Sequence, residues 1–181
     1  MASTRGFGLG VVFSRLLQTI KLERDAFVWM DFNDRATGDA ALLVAGTQVL
    51  MALGSGRSIL DLLNPFTLIS LLLSGLFFWV VYSGLTYAIS KYLLNGHGTF
   101  ATYLRLTGFA YPTLLLIIFG NFVFDNFALV LLVGAAWFVV IVANGLTYVA
   151  DIALQKGFLA AIGGYIALVV IQSIVAGIRI I

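Results

Sequence analysis

The chain contains no cysteine, which excludes disulfides, thiolate metal ligands, thioether-linked haem and thiol nucleophiles. It has one histidine and two prolines, and only 10% of its residues are charged. A soluble domain carries about 25% charged residues, and a chain this short has no core large enough to hide such a composition from water. The charges are also absent in a pattern. The stretches 40–56, 62–90, 106–124, 126–150 and 157–178 hold no Asp, Glu, Lys or Arg. Motifs for catalysis are missing too. No G-x-S-x-G elbow occurs, and every aspartate lies outside the uncharged stretches. The Gly6-x-Gly8-x-Gly10 run lacks the strand–helix setting of a nucleotide loop. The lone His97, in the loop 95–99, falls short of the several ligands that a haem or transition metal needs. No catalytic residue, cofactor, metal or nucleic-acid site is expected.

What the chain does have is apolar length. It is 61% hydrophobic, and the five uncharged stretches run 17, 29, 19, 25 and 22 residues. About 20 apolar residues carry a helix across a bilayer core of ~30 Å. Runs such as Ala128-Leu129-Val130-Leu131-Leu132-Val133 do not alternate as the strands of a membrane barrel would. A helix, by contrast, satisfies its own backbone in lipid. The sequence therefore predicts an all-α polytopic membrane protein, a five-transmembrane-helix bundle over 36–181. Its spans fall at about 37–55, 65–90, 104–124, 127–149 and 158–178.

Residues 1–35 form a separate, charge-rich segment, cytoplasmic and amphipathic. Phe13, Leu16, Leu17 and Ile20 share one helical face, and Arg15, Gln18 and Lys21 the other. Trp29 follows among Phe27, Met30 and Phe32. Arg15 interrupts the apolar run before it reaches signal-peptide length, and no small-residue cleavage site follows. Two roles stay open for Phe13, Leu16, Leu17, Ile20 and Trp29. They anchor the segment in the membrane interface, or they pack it against the span ends or a partner subunit.

Charge sets the expected orientation. Arg5, Arg15, Lys21, Arg24, Arg35, Lys91, Arg105 and Lys156 fall on one side, with only Arg57 and Arg179 on the other. The positive-inside rule then puts the N-terminus in the cytoplasm and the C-terminus outside. Asp39, Arg105, Asp125 and Asp151 read as boundary anchors at span ends, Arg105 snorkelling from within. The neutral polar residues Gln48, Ser70, Ser74, Thr86, Asn121, Asn144 and Gln172 read as interhelical glue, at about 0.6 kcal/mol each. Ser70-x-x-x-Ser74 and Ala160-x-x-x-Gly164 are candidate helix-packing faces. Asn64-Pro65 opens the second span, with asparagine as cap and proline where no N–H is needed. Pro112 removes a bond to the Gly108 carbonyl, which predicts a kink over 108–112.

Three segments carry a resemblance. Gly96-His97-Gly98-Thr99-Phe100, then Tyr103-Leu104, then Gly108-Phe109-Ala110-Tyr111-Pro112 are similar to the loop and following span of prokaryotic Yip1-domain proteins. Asp61-Leu62-Leu63-Asn64-Pro65-Phe66 resembles the D-L-Y-G-P segment of eukaryotic members. It departs from that segment at Leu63 and Asn64, and lies before the second span rather than the first. Phe109 stands where the family often has Tyr. The resemblance covers roughly 27–178. It implies structural roles for Asp61, Pro65, Gly96, Gly98, Phe100, Gly108, Tyr111 and Pro112, and a five-span architecture without catalysis. Eukaryotic relatives are associated with Rab GTPases, vesicle budding and membrane shaping. The short N-terminal region points to a prokaryotic member in the cytoplasmic membrane.

The expected function is a non-enzymatic membrane scaffold or partner-recruiting protein. Its expected partners are lipids and another membrane protein or larger complex, with homo-oligomers allowed. An accessory subunit of a larger complex is the alternative. An oligomeric channel or transporter lined by Gln48, Asn121, Asn144 and the Pro112 kink is a third reading.

Overall fold

The computed structural model describes residues 9–118 and 127–178, and among them every regular element is a helix. Two short helices come first, α1 (Leu9–Ile20) and α2 (Arg24–Phe32). They are separated at Leu22, whose φ of 61° turns the chain. Next come α3 (Ala36–Gly54), the five-residue α4 (Ile59–Leu63), and α5 (Pro65–Ala88), which runs on into a π-helical turn over Ile89–Leu93. The remaining helices are α6 (Phe100–Ala110), α7 (Phe127–Val149) and α8 (Leu154–Ile178).

The helix starts follow local chemistry. Asn64 Oδ1 accepts from the Phe66 N–H at 3.0 Å, with Pro65 at the first helical position. Thr99 caps α6 by accepting from Thr102 N–H at 3.3 Å. Each cap satisfies an amide that the helix itself leaves unpaired. Pro112 acts at the far end of α6. The Gly108 carbonyl has no proline N–H to accept, and takes the Tyr111 N–H instead. The helix tightens there into a 3₁₀ turn over Tyr111–Leu115, which is how the chain absorbs the missing bond.

Four stretches among the described residues are long and apolar enough to cross a membrane: Ala36–Gly54, Pro65–Leu93, Phe100–Ile118 and Leu154–Ile174. The uncharged 23-residue α7 adds a further apolar helix. The protein is thus an all-α polytopic membrane bundle. The broadest packing is between α7 and α8, followed by α3 with α6 and α5 with α8.

Helix α6 lies at the centre. On one side Tyr103 and Leu106 join Tyr82, Phe138, Ile141, Leu146 and Ala160. On the other, Phe109 packs with Val44, Trp79, Ala36 and Ala40. The N-terminal helices take part in both cores, Phe27 in the first and Leu16, Ala26 and Met30 in the second. Polar groups inside the bundle are mostly spent on one another. Trp79 Nε1 donates to Thr107 Oγ1 at 3.0 Å, Thr107 shares a hydroxyl bond of 2.6 Å with Ser83, and Tyr82 donates to the Ala161 carbonyl at 3.2 Å. Gln48, inside the first span, donates to Tyr111 Oη at 2.7 Å.

Candidate functional site

The junction of α2 with α3 carries three acids or amides, Asp31, Asn33 and Asp34. It sits beside the first turns of α6, which carry Thr102 and Arg105. Three residues apart, Thr102 and Arg105 fall on one face of α6. Arg105 is only 4% exposed. Its Nη1 donates to the carbonyls of Met30 at 3.0 Å and Asp31 at 3.1 Å, and its Nε to Thr37 Oγ1 at 2.8 Å. Its Nη2 meets Asp34 Oδ1 at 2.6 Å. Thr102 Oγ1 donates to Asp31 Oδ1 at 3.0 Å. The guanidinium therefore closes the C-terminus of α2, where orphan carbonyls and the helix dipole both favour a cation. Because the Asp34 side chain is fully exposed, water screens that ion pair, and the buried carbonyl bonds hold the junction. Arg105 fixes the N-terminal segment to the bundle.

The face that α1 and α2 present outward is mixed. Leu16 is buried against the bundle, and Ile20 and Val12 lie partly covered beside it. Phe13 and Leu17, on the next strip of the same helix, stay exposed at 61% and 43%. Trp29 is half-buried, edge-on to Phe109 at 5.8 Å, and carries Arg15 over its ring at 5.2 Å. Phe32, at the end of α2, is 83% exposed. Lys21, Arg24 and Asp25 are exposed around these apolar side chains.

The glycine-rich loop lies at the same end. Gly96 N–H donates to the Ser90 carbonyl and His97 N–H to the Ala150 carbonyl, both at 2.8 Å, so the loop is tied to α5 and to the α7–α8 turn. Gly98 holds φ at +103°, and a Cβ there would stand 2.7 Å from the Val149 carbonyl oxygen, so glycine is required on both counts. Tyr103 donates to Ser90 Oγ at 2.6 Å beneath the loop. Phe100 sets its ring edge-on to Tyr87 at 5.9 Å. The His97 side chain is exposed. Among the described residues no group of three His, Asp or Glu side chains could hold a metal.

Asp61 is exposed in α4, and Pro65 starts α5. Gly108 packs on Ala40 and on the Trp79 ring. Ala160 is buried, and Gly164 lies directly against Thr86 of α5. Ser70 and Ser74 are exposed on the outer face of α5, apart from these contacts. Thr86 Oγ1 and Asn144 Oδ1 are buried without a hydrogen-bond partner. Asn121 and Asp125 lie outside the described residues.

Helices of membrane-spanning length around a buried polar junction define a multi-pass integral membrane protein. Residues 27–176 match the Yip1 domain, and the chain belongs to the Yip1-domain family. The match opens inside α2, at the first of its residues buried in the bundle core after Ala26. No curated protein and no solved structure matches the chain.

Proposed function

We propose that this protein is a non-enzymatic membrane scaffold that recruits a partner through the surface of its first two helices. One observation carries the reading: the Arg105 junction holds α1 and α2 in a fixed pose. Phe13, Leu17, Val28 and Phe32 are thereby left exposed among charged neighbours. A preformed surface binds with less ordering cost than a tail that must fold on contact. Exposed aromatics rimmed by charge suit a protein interface or the membrane interface better than water. The buried strip of α1, Leu16 with Ile20, serves docking to the bundle, and the exposed strip, Phe13 with Leu17, serves the partner.

The test is quantitative co-purification from native membranes. Phe13→Glu and Phe32→Glu variants are expected to keep the wild-type melting temperature, because both side chains are exposed, and to lose at least one stoichiometric partner. Co-purifying proteins unchanged in both variants would sink the proposal. Recovery of the wild-type chain in a fixed large assembly would favour the accessory-subunit reading, which the small loops and the close approach of Gly164 to Thr86 also suit.

Orientation follows from the basic residues: α1, α2, Lys91 and Lys156 face the cytoplasm of a prokaryote, and Arg57 and the C-terminus face outward. The lack of cysteine makes this directly measurable. A membrane-impermeant maleimide added to intact cells should label Ser58→Cys and leave Ser14→Cys unlabelled until the cells are opened. The reverse pattern would invert the assignment.

A further inference from the structure

At the end of the bundle opposite Arg105, the loop after α3 and the first turns of α5 enclose an open cleft of about 420 Å³. It is lined by the polar residues Arg57, Thr67, Ser70 and Ser74 and by the apolar Phe66 and Leu71. Three hydroxyls and a guanidinium converge there, and each has unused capacity. Thr67 and Ser70 make no side-chain hydrogen bond among the described residues. Ser74 donates to the Leu71 carbonyl at 2.9 Å, which leaves its lone pairs open. Among the described residues Arg57 makes no ion pair, and it is exposed.

The surroundings say what would fill such a cleft. Ile59, Leu60 and Leu63 of α4, with Phe66, are exposed at 67%, 76%, 71% and 85%. Below them Ile69, Leu73 and Phe77 continue an exposed apolar strip down α5. A short helix so apolar on its outer side belongs in the acyl boundary of a leaflet. The helical run Pro65–Leu93 has 29 residues, about 43 Å at 1.5 Å per residue, against a hydrocarbon core of ~30 Å. The excess of about 13 Å is shared by the two ends, which brings Thr67 at one and Lys91 at the other near headgroup depth, with Ser70 one turn below Thr67. Polar groups at that depth, with an apolar strip leading inward from them, match one amphiphile in shape and charge.

We infer that this cleft seats the phosphate of a glycerophospholipid. Arg57 and the hydroxyls of Thr67 and Ser70 donate to the phosphate oxygens, Ser74 accepts from a glycerol or headgroup hydroxyl, and an acyl chain lies along Ile69, Leu73 and Phe77. The positive end of the α5 dipole adds to the attraction. The site is independent of the partner surface on α1 and α2, and it holds for either orientation of the bundle.

Native mass spectrometry of the delipidated full-length protein tests it, with dioleoyl phosphatidylglycerol and dioleoylglycerol as probes. The wild type should retain the phospholipid roughly tenfold better than the phosphate-free diacylglycerol, since charge-assisted bonds supply the difference. Arg57→Gln should bring phospholipid retention down to the diacylglycerol level, with Ser70→Ala intermediate. Lys156→Gln, at the opposite end, should leave retention unchanged. Equal retention of the two lipids by the wild type would overturn the site, as would full retention by Arg57→Gln or an equal loss in Lys156→Gln. Displacement of the lipid by millimolar inorganic phosphate would assign the cleft to a free anion instead and refute lipid binding.

Discussion

Arg105→Met loosens the first two helices on the bundle while the long helices keep their packing. The substitution preserves most of the apolar stem but removes four hydrogen bonds, two of them to the carbonyls that end α2. Bonds from a charged donor are worth about 1.5–3 kcal/mol each. The Asp34 contact is set aside because its carboxylate stands in water. Some of the freed carbonyls rehydrate at the helix end, so the net loss is about 2–4 kcal/mol. Hydrogen exchange read peptide by peptide should show residues 9–35 exchanging at least tenfold faster, with α7 and α8 unchanged. Arg105→Lys should recover only part of the protection, because one ammonium cannot reach Thr37, Asp34 and both carbonyls together. Asp34→Asn should change nothing measurable. If Arg105→Met exchanged like the wild type over 9–35, the junction would not be what holds the segment.

The second large effect is at Gly157. A Cβ there would overlap the Ala143 carbonyl oxygen and come within 3.2 Å of its carbonyl carbon. Both are backbone atoms of α7, which cannot rotate away as a side chain would. Overpacking typically costs about 1–3 kcal/mol, and Gly157→Ala should fall at the upper end, with Gly157→Val beyond it. Gly46 is the control. A Cβ at that position meets nothing within 4 Å, and alanine gains about 0.8–1 kcal/mol of helix propensity there. Thermal unfolding in detergent should therefore lower the midpoint for Gly157→Ala and hold or raise it for Gly46→Ala. Equal midpoints would mean that α7 and α8 are not closely seated at this point.

The architecture was legible because lipid imposes a coarse rule. A stretch without charge and long enough to cross must be a helix, and the positions of Asp39, Arg57, Lys91, Asp151 and Lys156 mark where the long helices stop. At Pro112 the missing N–H leads to the expectation of a kink over 108–112, and the structure has a 3₁₀ turn over Tyr111–Leu115 at that point. The tertiary use of polar residues was not legible. Arg105 reads as a boundary anchor that snorkels toward water, yet it is buried under α2. Its partners stand about 70 residues upstream, and nothing in the local pattern names them. The matched spacing of Asp31 with Asp34 and of Thr102 with Arg105, three residues in each case, was the available signal. Ser70 and Ser74 show the opposite limit. A small-xxx-small pattern says that a helix can approach closely, but not which face does so, and here that stripe looks outward.

Of the two roles open for α1, packing against the bundle accounts for one strip of the helix, and the role of the other strip rests on the proposal above. Leu16 and Ile20 lie against the bundle, while Phe13 and Leu17, one position further round, remain uncovered. Amphipathicity fixes the width of an apolar face. It does not say how much of that face a neighbouring helix will take.

The Arg105 junction also sets a clock. Ribosomes add about 5–20 residues per second, so the roughly 70 residues between the α2 carbonyls and the guanidinium take several seconds to emerge. For that interval α1 and α2 exist without the side chain that closes them, although they were made first. Helices α1 and α2 are thus latched only after α3 and α5, which follow them in the chain, have been made. A partner of the kind proposed for the exposed strip of α1 would meet a different, unlatched surface on the nascent chain.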